Sequence, residues 1–154
     1  MTVSGATFVA TPYVAPIDPS RIARSLTRLA AGVVRIPGLR RFLLLPAIAR
    51  PGYWIATAAA FVWGCLMLGH WGRRRGLYSF INLPGWAFAR GGTTIGAIYL
   101  TRDNIGQGVV EHELVHAQQW KKYGLCFIPL YIAAGADPHG NRFEVEAGLE
   151  RGGY

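Results

Sequence analysis

The sequence predicts an α+β fold, mostly helical, in which an apolar helical segment leads into a β-hairpin and a set of shorter helices. Three observations carry that expectation. Apolar residues recur at three- and four-residue spacing at Ile22, Leu26, Leu29, Val33 and Ile36, as on one helix face. Around Gly91-Gly92 the texture changes to short runs rich in aromatic and β-branched residues, as strands require. From Gln107 onward, helix-forming stretches are punctuated by Gly124, Pro138, Gly140 and Gly152-Gly153.

Residues 1–20 read as irregular, because Pro12, Pro16 and Pro19 interrupt any helix. No basic stretch precedes an apolar core there, as a secretory signal would require. Ser20 reads as the N-cap of a basic amphipathic helix over 21–36, stopped by Pro37-Gly38. Its Arg21, Arg24, Arg28 and Arg35 lie off the apolar stripe and suit either an anionic membrane surface or solvent. From Tyr53 to Trp71 there is no Asp, Glu, Lys or Arg. That run approaches the ~20 residues that cross a bilayer, and aromatic residues mark its ends. A membrane helix is the expectation. A buried helix is the rival, since Thr57, Gly64, Gly69 and His70 moderate the hydropathy. Orientation stays open: Arg35, Arg40, Arg41 and Arg50 on one flank balance Arg73, Arg74, Arg75 and Arg90 on the other.

Gly85 to Arg90 and Thr93 to Thr101 read as the strands of a hairpin turning at Gly91-Gly92. Thr93, Ile95, Ala97, Tyr99 and Thr101 would then share one face. Helices are expected over 107–123 with Gly124 as the stop, over 127–134, and over 142–151 with Asn141 as the cap. The chain divides into 1–20, a helical segment at 21–76 and a domain at 77–154.

Composition excludes several classes. The chain is 51% hydrophobic and 16% charged, with mean hydropathy +0.23, which no disordered chain sustains. Cys65 and Cys126 are too few for a disulfide scaffold or a cysteine-rich metal module. Charge is split: residues 1–102 hold twelve arginines against Asp18, whereas residues 103–154 hold four basic residues against seven acids. The arginines flank apolar runs and form no binding module, so no nucleic-acid partner is expected.

The informative residues are His112-Glu113-Leu114-Val115-His116. Histidines at i and i+4 project side by side from one helix, as two metal-ligating nitrogens must. Glu113, beside the first, can take a proton from a metal-activated water. A third ligand is needed, and Asp137, His139, Glu144 and Glu146 are the downstream candidates. Glu144 has a rival use, because Asn141-Arg142-Phe143-Glu144 also fits a capping box. Ala147 and Gly148 make a small face beside it, which would allow close approach to the histidine helix.

The motif at 112–116, Gln119-Trp120 after it, and Asn141-Arg142-Phe143-Glu144-Val145-Glu146-Ala147 later together resemble the gluzincin metallopeptidases, over about residues 93–150. One membrane-bound branch, the prenyl and heat-shock proteases, has arginine shortly before Glu-x-x-Ala-Asp. Arg142, Glu144 and Ala147 match that run, and Gly148 stands at its aspartate. The metzincin extension is excluded by Gln119 and Lys122. The resemblance implies a zincin-like core (hairpin, histidine helix, glutamate-bearing helix), of the kind found in small bacterial proteins. It implies Glu144 as the third ligand.

The expected function is a zinc-dependent peptide hydrolase. One Zn2+ per chain sits on His112, His116 and Glu144, and Glu113 is the general base. Tyr131, His139 or Arg142 stabilises the oxyanion. Thr93, Thr94, Ile95, Gly96 and Ala97 pair with an extended peptide or protein substrate. Two other classes stand beside it: a catalytically idle metal-binding membrane protein, and a basic membrane-surface binding protein. The expected location is a membrane, reached through residues 21–76, with the cytoplasm as the alternative.

Overall fold

The computed structural model describes residues 35–88 and 91–153, together with residues 25, 28, 29, 31 and 32. The irregular N-terminus at 1–20 lies outside them, as does most of the basic helix expected at 21–36. The described chain is α+β. Helices α1 (Pro37–Leu43) and α2 (Pro46–Leu66) lead into strands β1 (His70–Arg74), β2 (Leu77–Ile81), β3 (Gly92–Ile95) and β4 (Ile98–Thr101). Helix α3 (Gln107–Tyr123) follows, with one 3-10 turn at Gly124–Cys126. The chain then forms α4 (Phe127–Ala134), α5 (Arg142–Ala147) and α6 (Leu149–Gly152).

The strands form one mixed sheet in the order β1-β2-β4-β3. β1/β2 and β3/β4 are antiparallel, and β2/β4 is parallel. Alternation along the strands sorts their side chains between two helices. Phe80, Ile98 and Leu100 form a core with Ala60 of α2, whereas Leu77 and Tyr99 pack with Val110 of α3. The sheet is therefore covered on both faces. A third cluster joins Ala56 of α2 to Trp120, Phe127, Leu130 and Phe143, tying α3, α4 and α5 together.

Several expectations change. The run from Tyr53 to Trp71 is not one helix: α2 ends at Leu66, and His70 already belongs to β1. No helix among the described residues is long and apolar enough to cross a membrane. α2 also starts earlier than Pro51 suggests, running through that proline from Pro46. Its first turns are held by tertiary contact, with Ala49 against Gly124 and Gly52 against Leu125, and this contact overrides the local cost of proline.

The hairpin at 70–81 was not anticipated. Its turn is Arg75-Gly76, and both residues have positive φ (49° and 93°), as a two-residue hairpin loop demands. The other hairpin turns at Gly96-Ala97 rather than at Gly91-Gly92, and Gly85 to Ala87 form a turn, not a strand. Splitting Thr93–Thr101 in two also changes the faces. Thr94 opposes Tyr99, and Ile95 opposes Ile98. Finally, the last helix breaks at Gly148, whose φ of 90° ends α5.

Candidate metal centre

α3 buries a polar face. His112, Glu113, His116, Gln119 and Trp120 recur at helical spacing and are all buried, with Lys121 and Lys122 at the solvent-facing end, where cations suit the helix dipole. Burying so many polar groups is costly unless each finds a partner. Gly124 caps α3, and α4 turns back so that Phe127 and Tyr131 lie beside His116, with ring centroids 6.4 and 6.2 Å away. Asn141 then anchors α5. Its Nδ2 donates to the Tyr131 and Gly135 carbonyls, and its Oδ1 accepts from the Phe143 amide.

The result is a cluster of three buried groups. His112 Nε2 and His116 Nε2 are 3.0 Å apart. Glu144 Oε2 lies 3.1 Å from the first, and Oε1 lies 3.4 Å from the second. Each ring is fixed through its other nitrogen. His112 Nδ1 donates to the Gly148 carbonyl at 3.0 Å, and His116 Nδ1 donates to Gln119 Oε1 at 2.8 Å. A neutral imidazole has one proton, so both Nε2 atoms then present lone pairs to each other and to a carboxylate. Glu144 Oε2 accepts no hydrogen bond. Acceptors that converge in this way need a cation among them, either a shared proton or a metal ion. The donor set, two imidazoles and one carboxylate, is one that zinc accepts.

Electrostatics follow from the same geometry. Burial works against a charged His116, but its contacts with Glu144 and Gln119 and the Glu113 charge outweigh this and raise its pKa. Burial likewise pushes the Glu144 carboxyl upward. The two histidine rings, once they carry the shared proton, and the Tyr131 hydroxyl, which donates to Oε1, overcome it and hold the carboxyl well below the ordinary range. Glu113 goes the other way. Burial raises its pKa, and the Thr94 hydroxyl, which donates to Oε2 at 2.7 Å, together with both histidines, only partly offsets that rise.

A cleft of about 300 Å3 opens on this cluster. β3 forms one wall, α4 supplies Phe127, Ile128, Tyr131 and Ile132, and His112, Glu113, His116 and Glu144 line it. Among the described residues β3 is an edge strand, paired with β4 alone.

Among the third-ligand candidates, Glu144 is the one brought to the histidines. Glu146 is exposed and accepts from Gln119 Nε2 at 3.0 Å, while His139 stays exposed in its loop beside Asp137. Glu144 does not close a capping box, because the Asn141 amide donates to the Asp137 and Pro138 carbonyls. Of the three oxyanion candidates, Tyr131 lines the cleft. Arg142 is exposed and lies over the Phe143 ring. The expected substrate strand is shortened. Thr93, Thr94 and Ile95 line the cleft, but Gly96 and Ala97 turn toward α2, where the Ala97 amide donates to Thr57 Oγ1 at 3.0 Å.

Three contributors were missed or misread in the sequence. Thr94 is less a substrate-pairing residue than a support: its hydroxyl holds Glu113, and its carbonyl accepts from Trp120 Nε1 at 2.7 Å. Gln119 orients His116 and, through Nε2, also grips the Phe143 carbonyl of the glutamate helix at 3.1 Å. Its place three residues after His116, on the same helix face, was the available signal. Gly148 contributes not smallness but a carbonyl to His112, aimed by a backbone conformation that side chains disfavour.

These features define an α+β protein with a buried two-histidine, one-carboxylate group that could hold a metal ion. No protein-family model, curated protein or solved structure matches the chain.

Proposed function

We propose that the protein is a zinc-dependent peptide hydrolase resembling the gluzincins. One observation carries this reading: the acceptor cluster of His112, His116 and Glu144 opens into a cleft with a buried, independently held carboxylate, Glu113, beside it. A purely structural metal site would have its ligands closed off from such a cleft.

His112, His116 and Glu144 would hold the metal, which when bound supplies Lewis acidity toward a water and a carbonyl oxygen. Glu113 is the general base. Thr94 fixes its orientation, and its raised pKa favours taking a proton from water and returning it to the leaving amine. Tyr131, already at the cleft, is our choice for the oxyanion donor; its hydroxyl would exchange Glu144 for the substrate oxygen. The free edge of β3 along the cleft would receive an extended peptide substrate.

The test uses zinc titration and cleavage of a quenched-fluorescent peptide mixture. Glu113→Gln should bind zinc like the parent and lose hydrolysis by roughly 10²–10⁴-fold, the usual share of a general base. His112→Ala and His116→Ala should lose the metal itself. Cleavage by Glu113→Gln at the parent rate would remove the proposed mechanism, and zinc binding without any cleavage by the parent would remove the hydrolase reading.

A further inference from the structure

α2 is built inside out. Its buried positions are Ala49, Gly52, Ala56, Ala60 and Gly64, all small, and they let the helix lie close on the sheet and on the 3-10 turn. Its large apolar residues face outward: Trp54, Ile55, Phe61, Val62 and Leu66 are all exposed, Trp54 at 65% and Leu66 at 67%. From Pro51 to Leu66 this helix holds no charged residue. Scattered exposed hydrophobics are ordinary, but a contiguous stripe of this size marks an interaction surface.

The stripe runs on into the first hairpin. The Phe61 ring meets Trp71 at 5.2 Å, Trp71 stacks on Tyr78 at 5.4 Å, and the Arg73 guanidinium lies over the Tyr78 ring at 5.2 Å. Arg73, Arg74 and Arg75 are exposed at the hairpin tip, and Leu68 beside it is 86% exposed. No acidic residue occurs between Asp18 and Asp103, so the whole face is apolar and cationic.

We propose that this face, the outer side of α2 with the arginine-tipped β1–β2 hairpin, docks the protein peripherally on an anionic lipid bilayer. Charge selects the occupant. A second copy would bring the same face, with arginines and no acid, and the N-terminal segment would add Arg21, Arg24, Arg28 and Arg35 against Asp18 alone. Anionic headgroups complement the arginines, and the acyl boundary takes up Trp54, Phe61 and Leu66. Tryptophan and tyrosine prefer that boundary. α2 is not apolar enough to cross a membrane, and its small-residue face is taken up by the sheet and the 3-10 turn, so it lies along the interface rather than through it.

The experiment is co-sedimentation of the full chain with phosphatidylcholine vesicles, with and without phosphatidylglycerol, at low and high salt. It reads binding alone and is independent of hydrolysis. The parent should bind the anionic vesicles, weakly or not at all the neutral ones, and binding should fall with salt. Replacing all three arginines (Arg73→Gln, Arg74→Gln, Arg75→Gln) should weaken binding by roughly a hundredfold. Trp54→Glu with Leu66→Glu should also abolish it, with both variants keeping the parent circular dichroism, since all these positions are exposed. Absence of binding to anionic vesicles, or unchanged binding by the arginine variant, would overturn the proposal. A parent dimer that Trp54→Glu with Leu66→Glu converts to monomer would reassign the face to a second copy.

Discussion

At the scale of single residues, the metal centre depends on which carboxylate reaches the histidines. Glu144 and Glu146 are two residues apart on α5, so they point about 160° from each other at ~100° per residue. Glu144→Ala should therefore cost metal affinity steeply, whereas Glu146→Ala should change it only slightly, since it removes one hydrogen bond to Gln119. Zinc titration of the two variants decides this, and the opposite ranking would move the ligand. Gln119 offers a finer test. Gln119→Ala frees the His116 ring and releases the Phe143 carbonyl of α5, and loss of such a supporting partner typically costs 10–100-fold in metal affinity. Parent-like affinity in Gln119→Ala would mean that the ring is positioned by packing alone.

At the scale of elements, α2 lies in close contact with the sheet. A Cβ at Gly64 would collide with the Phe80 ring, which is itself buried between α2 and β4. Gly64→Ala should therefore destabilise the protein. Overpacking costs about 1–3 kcal/mol, and the better helix propensity of alanine returns at most about 1 kcal/mol. Thermal or urea unfolding reads the difference, and a raised melting temperature would show that the ring can move aside. The same packing explains why Pro51 does not end α2: the helix is held by what it touches, through Ala49 and Gly52, more than by its own residues.

At the scale of the whole molecule, a metal ion at the junction of α3 and α5 should act as a folding ligand, because the cluster exists only when these helices are assembled. Free zinc at a thousandfold excess over its dissociation constant would stabilise the protein by about 4 kcal/mol. For a chain of this size that corresponds to a rise in Tm of roughly 10 °C. Calorimetry with zinc and then with a chelator should show that shift, and His112→Ala should lack it. An unchanged Tm on chelation would argue against an occupied site. What the sequence determined by itself was local. The side-by-side histidines follow from helix geometry over five residues, the bounds of α3 and α4 follow from Gly124 and the spacing within each, and Asn141 is legible as a cap because capping involves only neighbouring residues. Tertiary structure decided the rest. The parallel pairing of β2 with β4, the edge position of β3, the grip of Thr94 on Glu113 and the Gly148 carbonyl on His112 join residues distant in the chain. α2 shows the reason most plainly. Hydrophobicity marked its large residues for burial, but only small ones fit where it meets the sheet, so close packing turned Trp54 and Leu66 outward.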